Sequence, residues 1–297
     1  MKKYSIFLIL MIIPVYLAGQ TFESFNNYTH NRFLFNPAAT ADNGIFVYTD
    51  LRYKWLGMDN APRIQEAGFY NLLGTRQGLG GKIVNVRSGL LRQTAISASY
   101  SFKTETTKNR YLFFGLWVKG VQRDLDIIDV QVFQSGDPTL EGDYYKKIWL
   151  TFGTGVSYKA KYYRFDLAMP SFLDEKASFQ PNFLAMAEYI FVLRPNSAVL
   201  KPSVLYMRND PHGNIVDINL NSLLFNMASV QVSYRTNQSM FFTVGYHSSF
   251  SILLCYEFSL GNVANFSHGT YELMLTYAFG RSATRKTRIR VPWNWTY

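Results

Sequence analysis

Histidine and serine are the residues whose spacing could support catalysis or metal binding. None of the four histidines stands at a spacing typical of metal ligands. Ser248 and Ser249 directly follow His247, but a serine nucleophile needs a base on a neighbouring strand and a third group that orients that base. The sequence places no such group. We therefore expect no catalytic residue, no metal ligand and no enzymatic activity; a lipase is the alternative.

Acidic side chains gather in the stretch Arg123–Lys147, and such oxygen ligands at short spacing can hold calcium. Their spacing fits no EF-hand loop. We favour a solvated acidic loop over a calcium site and expect no cofactor. The acidic residues are Asp124, Asp126, Asp129, Asp137, Glu141 and Asp143.

The stretch Thr270–Phe279 shows which elements would position any site. Tyr271, Leu273, Leu275, Tyr277 and Phe279 share one face, and small or polar residues alternate with them on the other. An apolar outer face ending in aromatic residues, opposite a polar inner face, is typical of a strand in an outer-membrane β-barrel. A soluble sandwich strand is the alternative that one segment leaves open.

The rest of the chain repeats this type of segment, and most copies have the length that a tilted strand needs to cross a bilayer. We predict an all-β, antiparallel transmembrane barrel of about 14 strands, an even number as expected for single-chain bacterial barrels. The predicted strands are Ile45–Trp55, Arg63–Leu73, Gly78–Val86, Thr94–Lys103, Tyr111–Gln122, Ile148–Lys159, Tyr162–Pro170, Phe183–Leu193, Ala198–Arg208, Val216–Leu224, Ser229–Arg235, Met240–Tyr246, Ser251–Ser259 and Thr270–Phe279.

The lengths of the connections alternate along the chain. If both termini are periplasmic, every inward connection is short, for example Gly74–Gln77 and Thr104–Arg110. The outward set holds the long ones, including Arg123–Lys147, Ser171–Asn182, Asn209–Ile215 and Leu260–Gly269. Short periplasmic turns and longer outer loops are the asymmetry of outer-membrane barrels.

The composition agrees with a barrel of this kind. The chain of 297 residues is 48% hydrophobic and 17% aromatic, yet its mean hydropathy is only −0.07. Alternation of lipid-facing and lumen-facing residues averages hydropathy in this way. The single cysteine, Cys255, excludes a disulfide within the chain.

The two ends of the chain have compositions of their own. Residues 1–19 are a predicted signal peptide, with a basic start, a short apolar core and small residues before Gln20. Residues 20–44 are not strand-like, and we place them in the periplasmic mouth or the lumen; the barrel follows over residues 45–280. The glycine cluster Gly78-Leu-Gly-Gly81 predicts close backbone approach or a bulge rather than a phosphate site, since no helix follows it.

Residues 281–297 form a basic tail without an acidic residue, rich in arginine and ending in aromatic side chains. In this topology the tail is periplasmic. A solvated extension and a docking peptide are both consistent with it, whereas the compartment makes nucleic-acid binding improbable. Its candidate partner-binding residues are Arg285, Arg288, Trp293 and Trp295.

Several short motifs give the chain a family resemblance. Asn36-Pro-Ala38 is followed by Arg52 and Trp55-Leu-Gly57, then by Ala61-Pro62, the Gly78 cluster, Ser99-Tyr-Ser-Phe102 and Tyr277-Ala-Phe279. In this order and spacing they resemble the PorP/SprF family of the Bacteroidetes type IX secretion and gliding motility system, over Gln20 to Phe279. The tail does not match the family pattern.

The resemblance implies an outer-membrane protein that binds protein partners as well as outer-membrane lipid. Some family members associate with periplasmic ring lipoproteins, and others export large secreted adhesins or hold them at the cell surface through their C-terminal domains. A transport channel for small or hydrophobic solutes is the alternative, because a lumen of about fourteen strands exceeds what side chains of an eight-stranded barrel can fill. The candidate partner-binding residues, besides those of the tail, are Asn36, Pro37, Trp55, Gly57, Pro62, Asp137 and Glu141.

Overall fold

A computed structural model describes residues 25–42, 45–125, 146–173, 182–195, 197–209 and 213–279. Three short 3-10 helices, η1 (Asn27–Thr29), η2 (Arg32–Leu34) and η3 (Pro37–Ala41), precede the strands, and a fourth, η4, spans Asn262–Asn265. The strands are β1 (Ile45–Tyr53), β2 (Arg63–Leu73), β3 (Gln77–Ser88), β4 (Leu91–Thr107), β5 (Arg110–Leu125), β6 (Lys146–Lys159), β7 (Tyr163–Met169), β8 (Phe183–Tyr189), β9 (Phe191–Arg194), β10 (Ala198–Asn209), β11 (Gly213–Leu224), β12 (Ala228–Arg235), β13 (Ser239–Tyr246), β14 (Phe250–Ser259) and β15 (Thr270–Phe279).

The strands form one closed antiparallel barrel. Each pairs with its neighbour in sequence, and β1 pairs with β15 along its whole length, from Ile45 opposite Phe279 to Tyr53 opposite Tyr271. Since β8 and β9 both pair with β10, they occupy one position in the wall, which gives fourteen positions. The predicted fold class and the fourteen-strand count are confirmed.

The wall is apolar outside and polar inside. In β12 the exposed residues are Ala228, Val230, Val232 and Tyr234, and the buried ones that alternate with them are Ser229, Gln231, Ser233 and Arg235. This inverts the pattern of a soluble sheet, because the outer face meets lipid rather than water. Within the described ranges, no helix is long and apolar enough to cross a membrane.

The connections sort by end of the barrel. We call the end that carries residues 54–62 and 260–269 the long-loop end, and the end that carries residues 74–76, 225–227 and 247–249 the short-turn end. β5 and β7 also end at the long-loop end, and β6 and β8 begin there, since strand directions alternate.

Some predicted boundaries were wrong. The connection predicted over Thr104–Arg110 is a two-residue turn, because β4 and β5 stay paired to Thr107 and Arg110. Asn209 pairs with Gly213, so the connection predicted over Asn209–Ile215 is also short. In both places strand pairing continues through polar residues, for which hydropathy alone predicts a loop. The predicted strand Phe183–Leu193 breaks at Ile190, whose N–H bonds to Tyr162 instead (2.7 Å).

Candidate functional site

An N-terminal plug, residues 25–42, lies inside the barrel and is almost wholly buried. Its bends are set by two asparagines. The side-chain oxygen of Asn31 accepts the N–H of Phe33 (3.1 Å), and that of Asn36 accepts the N–H of Ala38 (3.0 Å). Such caps begin η2 and η3, and Pro37 at the start of η3 needs no hydrogen-bond acceptor for its nitrogen. The Asn-Pro-Ala motif therefore shapes the plug.

Glycines on the barrel wall let the plug backbone approach closely. A Cβ atom on Gly78 would collide with the backbone of Thr40 and Ala41, and one on Gly115 with the backbone of Pro37 and Ala38. The register of β2, β3 and β4 through Gly78–Gly81 is regular. The close backbone approach predicted for this glycine cluster is confirmed, and its partner is the plug.

Arg32 of the plug bridges two neighbouring strands. Its guanidinium lies 2.6 Å from Asp166 on β7 and 2.8 Å from Glu188 on β8. Asn36 adds a hydrogen bond to Ser157 on β6 (3.1 Å). All of these side chains are buried, so the contacts are shielded from water and fix the plug against β6, β7 and β8.

A second network joins the plug to the strands that close the barrel. The Glu272 carboxylate on β15 accepts the backbone N–H groups of Asn26 (2.9 Å) and Asn27 (2.8 Å). Arg52 on β1 donates to the Asn26 side chain (2.9 Å) and pairs with Glu257 on β14 (2.5 Å).

Two further contacts hold the middle of the plug. The Lys82 ammonium on β3 donates to the carbonyl of Leu34 (2.8 Å) and pairs with Glu66 on β2 (3.1 Å). The Tyr28 hydroxyl donates to Asp217 on β11 (2.8 Å). The plug is therefore tied to every side of the wall.

His30 and His247 stack at the short-turn end, with ring centroids 5.7 Å apart. The Nε2 atom of His247 also shares a hydrogen bond with the Ser229 hydroxyl (2.7 Å). This nitrogen therefore does not bond to Ser248 or Ser249, the two serines considered above for a hydrolase. Burial, and after it the charge of Lys201, lowers the pKa of His247 to about 4. Burial and the adjacent His247 also hold the pKa of His30 well below its ordinary value.

Asp42 ends the plug at the short-turn end and pairs with Lys159 (3.1 Å) and Arg164. Burial alone would raise the pKa of this carboxyl, but the two cations outweigh burial and hold the pKa well below its ordinary value. The plug thus runs from Phe25, which packs against Ile64 near the long-loop end, to Asp42 at the opposite end.

The first loop, residues 54–62, is bonded to the loop 260–269 across the barrel seam. The N–H of Leu56 donates to the carbonyl of Gly269 (2.8 Å), and that of His268 to the carbonyl of Leu56 (2.6 Å). Gly57 has a φ of +92°, and a Cβ there would collide with the His268 ring. The two loops therefore form one surface.

Among the loop residues predicted to bind a partner, Trp55 and Pro62 hold the conformation of this surface through hydrogen bonds, and their side chains are only partly exposed. Trp55 is half-buried with a φ of 49°, and its N–H donates to the Thr270 hydroxyl (3.2 Å). Pro62 is half-buried and accepts the N–H of Lys54 (2.9 Å). Asn36 and Pro37 lie elsewhere, buried in the plug.

Four large apolar side chains of these loops are exposed: Leu56, Met58, Leu260 and Phe266. Leu260 directly follows β14, and we call Leu56, Met58 and Phe266, which lie further from the strand ends, the loop patch. Sequence reasoning missed them, although two large apolar residues flanking Gly57 in a predicted outer loop were a usable signal. The other predicted site residues lie outside the described ranges: Asp137, Glu141, Arg285, Arg288, Trp293 and Trp295. Within those ranges no group of three or more His, Cys, Asp and Glu side chains could hold a metal ion.

Solved barrels share this fold. Omp33 of Acinetobacter baumannii aligns with a TM-score of 0.52 at 6% identity, covering 80% of this chain and 98% of its own. The P. putida toluene transporter TodX aligns at 0.50 with 9% identity, covering 89% and 97%. The monoaromatic hydrocarbon channel CymD aligns at 0.50 with 10% identity, covering 89% and 95%. At these identities the likeness concerns fold alone. No curated protein matches the sequence.

The apolar outer face, the closed strand ladder and the fold shared with these solved barrels define an outer-membrane β-barrel, here with an internal plug. The model of the PorP/SprF family, described as a type IX secretion system membrane protein, matches residues 18–277. The chain belongs to this family. It is a non-enzymatic component of the secretion system, and the resemblance carried by its short motifs is confirmed.

Proposed function

We propose that this protein is a plugged outer-membrane scaffold that holds a secreted adhesin at the cell surface through the adhesin's C-terminal domain. The observation that carries the proposal is the loop patch on two hydrogen-bonded loops. Large apolar side chains on a fixed surface suit the buried centre of a protein interface. Membership in the secretion family supplies the class of partner.

We place the long-loop end at the cell surface, because longer loops are the outer ones in such barrels. Phe279 then ends the barrel at the periplasmic rim. Phe25, the first described residue, packs against Ile64 near the long-loop end. The expectation that both termini are periplasmic stays a prediction.

The plug supports a scaffold over a solute channel. Buried ion pairs from Arg32 and Arg52, together with hydrogen bonds to the Glu272 carboxylate, fix it inside the lumen. A pathway for solutes would require this network to break, at a cost of several kcal/mol for each separated buried pair.

The loop patch is tested by the triple variant Leu56→Ser, Met58→Ser, Phe266→Ser. Phe225→Ser with Met227→Ser is the matched control, since Phe225 at the short-turn end is 70% exposed and Phe266 is 71% exposed. Each variant is crosslinked in native membranes, purified in mild detergent, and its partners are identified by mass spectrometry. We expect the wild type and the control to retain one large secreted protein, linked through its C-terminal region, and the triple variant to lose it.

Equal retention by the triple variant would refute the role of the patch. Crosslinks from periplasmic lipoproteins to residues 281–297 would instead assign the protein to the ring complex, through Arg285, Arg288, Trp293 and Trp295. Recovery of the barrel alone, with steady conductance in planar bilayers, would favour a transport channel.

A further inference from the structure

One hydrogen-bonded row of outward-facing residues crosses most of the outer wall. Successive members lie directly opposite each other on neighbouring strands from β11 to β6. The row reads Leu220, Val232, Phe242, Tyr256, Tyr271, Tyr53, Arg63, Arg87, Arg92, Asp124 and Lys146.

The chemistry of this row changes with height in the membrane. Barrel strands are tilted by about 40° and spaced about 4.8 Å apart, so a row perpendicular to them climbs by about 3 Å per strand. The row begins with aliphatic residues, passes through four aromatic ones and reaches arginine. That sequence of side chains matches hydrocarbon, membrane interface and headgroup, and it places the arginines at headgroup level.

Three arginines stand side by side where this row meets the long-loop end. Arg63 is paired with Arg87 and Arg87 with Arg92, and all three are exposed. Like charges directly opposite each other destabilise a sheet. Arg63 and Arg87 form no ion pair within the described part of the chain; Arg63 lies over the ring of Tyr53, 5.7 Å from its centroid. An anion between these guanidinium groups would relieve the repulsion.

The rows below the arginines support this placement. The next outward row is polar and uncharged, with Gln65, Asn85, Thr94 and Gln122 opposite each other. The row below that is apolar on the same strands, with Ala67, Ile83 and Ile96. The arginines therefore lie two rows above the hydrocarbon boundary, with amide and hydroxyl groups between.

An apolar groove of about 420 Å³ on the outer wall is lined in part by Tyr53, the residue whose ring lies under Arg63. It spans β1, β13, β14 and β15, and its lining includes Leu51, Tyr53, Val244, Leu254 and Tyr271. Tyr53 borders both the groove and Arg63. An amphipathic ligand can therefore contact the groove with a hydrocarbon chain and the arginines with an anionic head.

We propose that Arg63, Arg87 and Arg92, with the polar row beneath them and the groove beside Tyr53, bind a phosphorylated glycolipid of the outer leaflet, lipopolysaccharide. Guanidinium groups suit phosphate, and the amide and hydroxyl row suits sugar hydroxyls. The choice of this lipid rests on the proposed orientation, which puts the long-loop end at the cell surface.

The test compares lipopolysaccharide binding by delipidated full-length protein in detergent. The double variant Arg63→Gln, Arg87→Gln removes two cations, and Arg76→Gln with Arg110→Gln removes two exposed arginines at the short-turn end. With each basic residue contributing its usual share to binding of an anionic lipid, the first double variant should bind about thirtyfold more weakly. The control should bind like the wild type. Heat-modifiable migration on gels verifies that each variant is folded.

Unchanged binding by Arg63→Gln, Arg87→Gln would overturn the proposal. Equal binding of dephosphorylated lipopolysaccharide, equal binding of phosphatidylglycerol, or full competition by inorganic phosphate would also overturn it. Retention of the adhesin and binding of lipopolysaccharide are measured in separate assays, so one proposal can fail without the other. The arginine variant should still retain the secreted protein, and the triple loop variant should still bind lipopolysaccharide.

Discussion

The guanidinium of Arg32 lies 2.6 Å from the carboxylate of Asp166, with the cation on the plug and the anion on the barrel wall. Glu188 shares the same guanidinium. Because these groups are buried, removing the cation leaves two carboxylates without their main partner from the plug. The contact is therefore a point at which the plug can be weakened without changing the outer surface.

Arg32→Ala should lower the free energy of unfolding by about 3 kcal/mol, the usual cost of breaking a buried pair from one side. It should also raise conductance in planar bilayers, because the plug loses its tie to β7 and β8. Arg194→Ala is the control, since Arg194 is exposed at the short-turn end. Conductance no higher than in the control would show that Arg32 does not hold the plug.

Gly115→Ala should displace the plug, because the added methyl group collides with the backbone of Pro37 and Ala38. Overpacking of this kind costs about 1–3 kcal/mol. Gly120→Ala on the same strand is the matched control, since the nearest atom to its Cβ, on Leu150, is 3.7 Å away. Maleimide labelling of the buried Cys255 reports the displacement. It should accelerate in the first variant only, and equal rates would refute the collision.

Acid should destabilise the plugged barrel between about pH 6.5 and pH 4. Within this window an unfolded histidine binds a proton, whereas buried His247, with its pKa lowered to about 4, does not. The unfolded state then holds more protons, so the free energy of unfolding falls as pH falls, by about 2 kcal/mol at pH 5 from His247 alone. His30 acts in the same direction.

Asp42 affects the free energy of unfolding only below this pH window. Its pKa is lowered in the folded state, so its stabilisation is complete above the unfolded pKa of 3.8 and is lost only in stronger acid. Melting temperatures at pH 7.5 and pH 5 in detergent measure the effect. His247→Gln should reduce the difference between them, while His268→Gln, outside the plug contact, should not. A pH profile unaffected by His247→Gln would contradict the assignment.

Gly57→Ala should weaken capture of the secreted partner. A left-handed residue other than glycine costs about 1 kcal/mol, and here the methyl group also meets the His268 ring. Gly74→Ala is the control, since its φ of +61° is also left-handed but nothing lies within 4 Å of its Cβ. Both variants should still fold, because each change is confined to a loop or turn, and heat-modifiable migration on gels verifies this. Partner retention, measured by pull-down, should fall in Gly57→Ala alone, and equal retention would argue against the loop surface.

The barrel was predictable from sequence because its signal is local. Alternation along Thr270–Phe279 reports which face meets lipid, whatever the neighbouring strand is. Strand ends were less predictable, since residues such as Thr104 and Thr107 lie beyond the apolar band while still paired. Hydropathy identifies the lipid-facing band rather than the end of the hydrogen-bonded ladder.

The contacts of the plug were not predictable, because they join distant parts of the chain. Arg32 and Asp166 are separated by 134 positions, and the sequence gives no reason to pair them. Gly78 did carry a usable signal, since a glycine in a strand predicts close approach, but the approaching segment could not be named. The arginine row likewise required the register of β2, β3 and β4.

The network of Asn26, Arg52 and Glu272 has a consequence for folding. It joins a residue that precedes the first strand to side chains on the first and last strands. The Glu272 carboxylate receives its two donors from the plug only when the plug and β15 are both in place, so plug docking and barrel closure stabilise each other. A chain with a damaged final strand would lose part of the plug's anchorage together with the β1–β15 ladder. Completion of the wall and ordering of its interior are thus thermodynamically coupled.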